Sequence, residues 1–351
     1  MATIKDVAKL AGVSLSTASY ALNGSAKISE ATRDKVLSAA KQLNYRRNGF
    51  ATDLKRSRTK TIALLVSDLA GPYYSELIRG VQETAFDNSY DLIACSSFGG
   101  DDSTAIKFLT EKRVDGVIVS AHNLRDATIL ESARNGYPII VLDRILKGEH
   151  IYNVTVNNEQ GGYLATEYLI KNQFRNIAYI GGQTNSYDHK FRFQGYLQAL
   201  TDYGLQPPTR FNVSGRFTTE GGYTATKLLI ASRNLPDAIF YANDEMALGG
   251  IRAFTEAGIG VPGDVSIVGF DDILAAEFVN PSLTTIRQPK YEVGALAAHL
   301  IFQALDGHRI ESDYMLETEL IVRNSCGVKA PESEIDLSSS LQAARKLNIN
   351  L

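Results

Sequence analysis

Arg192, Asp271, Asn243, Arg144 and the pair Tyr73-Tyr74 are polar or aromatic groups placed at the ends of apolar runs, where a plain core would stay apolar. Asp68 closes Ile62 to Val66 and Pro72-Tyr73-Tyr74 follows. Asp143-Arg144 closes Ile139 to Leu142, Asn243-Asp244 follows Phe240-Tyr241-Ala242, and Asp271-Asp272 closes Val265 to Phe270. Arg192 opens an Arg-Phe-Gln-Gly-Tyr segment. A guanidinium and a carboxylate can each bond two adjacent hydroxyls, an amide can donate and accept, and aromatic rings can cover the apolar face of a sugar. This is recognition chemistry rather than bond-making chemistry. Asp244 and Asp272, one place further on, read as helix caps or surface turns better than Asn243 and Asp271 do.

Catalytic constellations are missing from the sequence. There is no Walker phosphate loop, no Gly-x-Ser-x-Gly elbow and no zinc spacing, and the five histidines are scattered, so neither metal nor cofactor is expected. Gly258 to Gly263 matches the dinucleotide fingerprint formally, but it follows a helical stretch and precedes a strand, the reverse of the order that cradles phosphate. Asp271 and Asp272 would point to opposite faces of an extended chain. The Gly-Gly pairs starting at 99, 161, 181, 221 and 249 read as strand or helix turns. Cys95 and Cys326 lie far apart and read as buried, reduced thiols.

A second group of chemical residues is concentrated at the N-terminus. Residues 1–60 hold twelve Lys or Arg against four Asp or Glu, whereas residues 61–351 hold 24 against 35. The formal net charge of −3 hides that split. A basic block beside an acidic remainder is the electrostatic signature of binding to a phosphate backbone.

Short helices must position those charges. Thr3 stands three residues before Asp6, as in a capping box, and Ile4, Val7, Ala8 and Ala11 recur at helical spacing. Gly12 breaks the pattern and Ser14 can cap a second helix to about Asn23. That helix turns Ala18, Ala21 and Leu22 inward and leaves Leu15, Ser16, Ser19 and Tyr20 largely outward. Two helices about a Gly-containing turn make a helix-turn-helix. A third helix after Ser29, with Val36, Ala39, Ala40 and Leu43 on one face, closes a small core.

At 351 residues the chain is too long for one core. From Thr61 it alternates strand and helix. A first series of apolar runs lies at Ile62 to Val66, Leu92 to Ala94, Val117 to Val119 and Ile139 to Leu142. A second lies at Ile177 to Ile180, Ala238 to Tyr241 and Val265 to Phe270, with helices near 160–172, 189–203, 220–232 and 244–257. Two such series predict two doubly wound α/β lobes, with ligands bound beyond the carboxyl ends of the strands in the cleft between them. No apolar run reaches membrane-spanning length and the N-terminus reads as a helix rather than a signal peptide, so a cytoplasmic protein is expected.

Thr-Ile-Lys-Asp-Val-Ala at 3–8, Ala-Gly-Val-Ser at 11–14, Ser-Thr-Ala-Ser at 16–19, Leu-Asn at 22–23 and Asn-Tyr at 44–45 resemble the DNA-binding headpiece of the lactose and galactose repressor family. In that family the start of the second helix enters the major groove. The resemblance therefore implies Leu15, Ser16 and Tyr20 as base readers, and Thr17, Ser19 and Asn23, with Thr3, Tyr45 and Lys55, as backbone contacts. It places a hinge helix at about Asn48 to Lys55 and a minor-groove wedge at Leu54, with Arg47 replacing a common proline and Asp53 adding an anion. Alone, this stretch is too short and too charged to be a stable helix, and ordering on DNA is expected.

The resemblance extends to a body that looks like a periplasmic sugar-binding protein. It implies Tyr73, Tyr74, Arg144, Arg192, Phe217, Asn243 and Asp271 as effector-binding residues. The implied domains are a headpiece at 1–47, a hinge at 48–60, an N-terminal lobe at 61–157 plus 287–310, and a C-terminal lobe at 158–286 plus 311–329. A tail at 330–351 reads as disordered or as an oligomerisation helix: Leu337, Leu341, Ala344, Asn348 and Leu351 recur at heptad spacing, similar to a tail that joins two dimers within that family. The expectation is a homodimeric, or through 337–351 tetrameric, repressor on pseudo-palindromic operator DNA. It would serve a carbohydrate catabolic operon under a sugar-like effector. Control by a nucleobase or nucleoside, or by a phosphorylated partner protein, stays open; a transport receptor is disfavoured because it needs export and no headpiece.

Changing Tyr20 tests the base-reader reading. Tyr20→Ala should alter the preferred base at one position of each half-site, at a cost of about 1 to 3 kcal/mol. A competition assay on randomised half-sites that returns the wild-type preference from the variant would refute it.

Overall fold

The computed structural model describes residues 2–45, 58–133, 136–142, 144–207, 212–232 and 235–327. The hinge segment with Leu54 and Lys55, Asp143 and the tail at 330–351 lie outside them. The chain divides into two compact units, Met1–Thr59 and Lys60–Leu351.

The first unit is a three-helix bundle of α1 (Ile4–Ala11), α2 (Leu15–Leu22) and α3 (Glu30–Gln42). The Asp6 carboxylate accepts from the Thr3 amide and hydroxyl, both at 2.8 Å, and these bonds hold its pKa below the usual value. Gly12 ends α1 in the left-handed conformation, where glycine carries no Cβ penalty. Ser14 and Ser29 accept from the amides of Thr17 and Thr32 and so cap α2 and α3. Val7, Ala18 and Val36 are fully buried and join Ala8, Ala21, Ala39 and Ala40 in one core.

The second unit is two-lobed. Its first lobe runs β1 (Thr61–Val66), α4 (Tyr74–Asp87), β2 (Asp91–Ser96), α5 (Lys107–Thr110), β3 (Gly116–Ser120), α6 (Asp126–Ser132), β4 (Ile139–Val141) and β5 (Ile151–Val156). The second runs α7 (Asn158–Lys171), β6 (Ile177–Gly181), α8 (Tyr187–Asp202), β7 (Asn212–Ser214), α9 (Thr219–Ala231), β8 (Ala238–Tyr241), α10 (Asp244–Glu256), β9 (Ser266–Asp271), α11 (Leu274–Phe278) and β10 (Thr284–Arg287). The chain then returns to lobe 1 for α12 (Lys290–Leu305) and β11 (Asp313–Leu316) and ends in lobe 2 with β12 (Glu319–Ile321). Lobe 1 is a parallel sheet ordered β11-β5-β4-β3-β1-β2; lobe 2 is ordered β12-β10-β9-β8-β6-β7 with only β12 antiparallel. Central strands such as β3 and β9 are buried throughout, which is why they read as continuous apolar runs.

One expectation changes. Asp313–Leu316 pairs with Asn153–Val156, so residues 311–316 belong to lobe 1, and the third crossing falls between Leu316 and Glu319 rather than near 310. The sequence does not show this because a four-residue edge strand has no periodicity of its own. The glycine pairs at 161, 221 and 249 lie inside α7, α9 and α10, within the helices expected near 160–172, 220–232 and 244–257. A Cβ on Gly162 would stand 2.2 Å from the Arg192 carbonyl oxygen, and one on Gly195 would stand 1.9 Å from that of Glu159. The backbones of α7 and α8 touch there because both residues lack side chains. Gly222 and Gly249 do the same for α9 and α10.

Gly195→Ala should therefore push α8 off α7. A loss of about 1 to 3 kcal/mol in urea unfolding is expected from this overpacking, and a variant as stable as wild type would contradict the contact.

Candidate functional site

The cleft is built around a guanidinium. Ser186 caps α8 by accepting from the His189 amide, which sets Asp188 in the first turn and Arg192 one turn further on. Arg192 is 4 % exposed. Its Nε donates to Asn158 Oδ1 at 2.8 Å, and its Nη1 donates to the Ala242 carbonyl at 2.6 Å and to Asp271 Oδ1 at 3.5 Å. The guanidinium carbon stands 3.8 Å from the centre of the Phe270 ring and 5.8 Å from that of Phe217. Asn158 in turn donates to Asp188 Oδ1 at 2.9 Å. Asp271 accepts from Gln288 Nε2 at 2.6 Å.

Lobe 1 faces this cluster with Tyr73, whose hydroxyl pKa is raised by burial and then by the charges of Asp188 and Asp271. His122 bonds Ser67 Oγ through Nδ1 at 3.0 Å; burial lowers its pKa and the facing Asp188 opposes that. Glu245, at the start of α10, is pushed up to about 7 by burial and by the negative charges of Asp271 and Asp68. Burial pushes Asp271 up to about 6, although Arg192 and Lys290 pull the other way. The cleft thus gathers carboxylates from both lobes around one cation that is already paired.

The expected residues divide. Arg192, Asp271, Tyr73 and Phe217 come together, with the Phe217 ring lying over Gly182 and beside Arg192. Tyr74 meets Tyr73 edge-on at 5.3 Å but packs into the lobe 1 core. Arg144 binds the Ala121 and Leu124 carbonyls and Asp126, so it braces the loop after β3. Asn243, not Asp244, caps α10: its Oδ1 accepts from the Met246 amide at 3.0 Å and its Nδ2 donates to the Phe217 carbonyl at 3.1 Å. Asp244 is fully buried and bonds Thr285 Oγ1 and the Ile273 amide, while Asp272 is an ion-pair partner of Arg287 and Arg323. The cap reading of Asp244 and Asp272 is corrected on this ground. The sequence does not single out Asn158, Asp188, His122, Glu245 or Gln288. Asp188 alone had a local signal, standing four residues before Arg192 on one helix face.

In the headpiece, Leu15 and Tyr20 are each 46 % exposed and Ser16 is also exposed, so α2 presents its expected reading face to solvent. Thr17 bonds the capping Ser14 hydroxyl at 2.8 Å. Asn23 Nδ2 donates to the Ser19 carbonyl at 2.7 Å and the Thr3 hydroxyl donates to Asp6, so these polar groups hold helix ends here. Tyr45 packs against the bundle core.

Residues 3–48 match the sequence model of the bacterial regulatory proteins of the lacI family, and residues 166–326 match that of a periplasmic binding protein-like domain. The HTH-type transcriptional repressor PurR of Pasteurella multocida is 36% identical over 329 residues, covering 93% of this chain and 98% of that one. The chain belongs to the LacI family. It is a DNA-binding transcriptional regulator and not an enzyme. Among solved structures, a cellobiose complex of the transcriptional regulator CelR aligns with TM-score 0.69 at 32% identity, over 93% of this chain and 100% of that one. The lac repressor dimer bound to operator and the anti-inducer ONPF aligns with TM-score 0.77 at 28% identity, over 92% and 98%. Among the described residues, no helix of this LacI-family chain is long and apolar enough to cross a membrane.

The raised carboxylates give a pH dependence. Glu245 moves from 4.5 to about 7 on folding, so through that window the folded protein keeps a proton that the unfolded chain has released. Stability therefore falls as pH rises across it, and Asp271 adds to the fall between 3.8 and about 6. Glu245→Gln should flatten the decline between about pH 5 and about pH 8 in urea titrations; profiles parallel to wild type would remove Glu245 as its source.

Proposed function

We propose that this regulator binds pseudo-palindromic operator DNA as a homodimer and is controlled by an uncharged, hydrogen-bonding ring molecule held between its lobes. The observation that carries the ligand reading is the charge of the cleft. Arg192 is already engaged by Asp271, while Asp188 and Asp68 add negative charge, so a phosphate or carboxylate on the ligand would be repelled. Hydroxyls or ring N–H groups would be welcomed by the same oxygens, and Phe217 offers a flat face.

The sugar expected from the strand-end residues is not favoured by the relatives, which carry the name PurR; they support a nucleobase or nucleoside effector instead. A sugar remains a second reading because the CelR structure, alike over 93% of this chain, holds cellobiose. Leu274 and Phe278, 72% and 74% exposed and one turn apart on α11, support a homodimer, as does the dimeric lac repressor neighbour. The proposed mechanism is a coupling: ligand in the cleft changes the angle between the lobes and hence the spacing of the two DNA-reading headpieces, in the cytoplasm.

Melting the full chain with guanine, hypoxanthine, adenosine, cellobiose, ribose and glucose 6-phosphate separates the readings. A neutral compound at a hundredfold excess over its Kd should stabilise by about 2.7 kcal/mol, and the phosphosugar should not stabilise at all. Arg192→Ala and Asp271→Asn should abolish the shift while ligand-free DNA binding persists. An undiminished shift in both variants, or stabilisation by the phosphosugar alone, would overturn the assignment.

A further inference from the structure

Outside the cleft, where the chain crosses between lobes, a concavity of about 600 Å³ is lined in part by Glu76, Arg79, Arg287, Lys290, Tyr291 and Glu319. Its charged groups engage one another: Arg287 pairs with Asp272 at 2.8 Å and Glu319 at 3.3 Å, Arg79 lies over the Tyr291 ring, and the Tyr291 hydroxyl donates to Glu83. This pattern is that of a brace. Lys290 is its buried member, 2 % exposed, and it is the first residue of α12. Its ammonium donates to the Asp271 carbonyl at 2.5 Å and the Asp272 carbonyl at 3.0 Å, and lies 3.7 Å from Glu76 Oε2.

Two consecutive carbonyls seldom meet one donor at a strand end, because an extended chain points them to opposite sides. Here Asp271 has φ +118° and Asp272 φ +51°, a left-handed bend that non-glycine residues adopt only when the surroundings hold them. The surroundings are Gln288 and Arg192 on the Asp271 side chain, Arg287 and Arg323 on the Asp272 side chain, and Lys290 on both carbonyls. Of these, Lys290 alone comes from a lobe 1 element. Its partner Glu76 sits in the first turn of α4, the turn that Tyr73 begins on the cleft side.

We infer that Lys290 is a positioning residue that ties the cleft carboxylate Asp271 to α4 of lobe 1 through Glu76, so that ligand contact with Asp271 and the setting of lobe 1 share one buried charge. This rests on the cleft being the effector site, but its test needs no effector. Linkage is reciprocal, so a change made at Glu76 must be felt at Asp271. The amides of Asp272 and Ile273 donate to Thr285 Oγ1 and Asp244 Oδ2 and so report on the bend.

Hydrogen exchange of the full-length, ligand-free protein is the measurement, with Glu76→Gln, Lys290→Met, which keeps the apolar stem, and Lys290→Arg. Peptides covering 271–274 should exchange about 5- to 10-fold faster in Glu76→Gln and Lys290→Met, with β3 as protected as in wild type. The first turn of α4 should loosen in Lys290→Met, and Lys290→Arg should restore part of the protection. Unchanged exchange at 271–274 in Glu76→Gln would overturn the inference, and that variant decides alone if Lys290→Met does not fold. So would acceleration spread evenly over the sheet, which is the mark of a merely structural role. A cleft that binds nothing would fail the melting screen and leave this exchange result standing.

Discussion

The body of this protein depends on keeping one guanidinium charged in a nearly dry place. Removing a charge from water costs several kcal/mol unless its hydrogen bonds are replaced. Arg192 has them replaced by Asn158, the Ala242 carbonyl and Asp271, with the Phe270 ring against its face. Each partner comes from a different element: the start of α7, the end of β8, the end of β9. The ion pair is therefore less a source of stability than a specification of where those three ends must lie. The contact of α7 with α8 at Gly162 and Gly195 serves the same end, since it fixes the backbone from which Arg192 projects.

The carboxylates around it underlie the proposal that the cleft takes a ligand. Asp188, Asp271, Glu245 and Asp68 gather from both lobes, and burial, with a smaller addition from like charges, raises Glu245 and Asp271. Under the proposed function, a molecule that donates hydrogen bonds would relieve that like-charge repulsion and engage both lobes. The bend at Asp271-Asp272 shows how tightly the site is over-determined: its side chains and carbonyls are gripped from the strand, the crossing segment and α12.

Headpiece and body are built on separate physical terms. The headpiece is basic, small and cored largely by alanine and valine, and it leaves Leu15, Ser16 and Tyr20 in solvent. The body is acidic, cored by large aliphatic and aromatic side chains, and carries the candidate recognition groups inside. Attraction to a polyanion and the proposed recognition of an uncharged small molecule thus fall to different compact units.

By itself the sequence determined what depends on neighbours along the chain. Helical spacing with Ser14 and Ser29 as caps gave the three-helix headpiece, and continuous apolar runs gave the buried strands of two parallel sheets; the segregation of charge showed which end meets DNA. Tertiary structure decided what depends on distant partners. Asn158 and Asp271 lie 34 and 79 residues from Arg192, and no local pattern links them. Asn243 and Asp244 are adjacent at a strand end, and only the direction of the following helix makes the first the cap and the second a buried acceptor. Glycine pairs inside a helix acquire a reason only when a second helix is seen to need their missing side chains. A strand of four residues takes its lobe from the sheet it joins, as β11 does from β5, because the information lies in the partner.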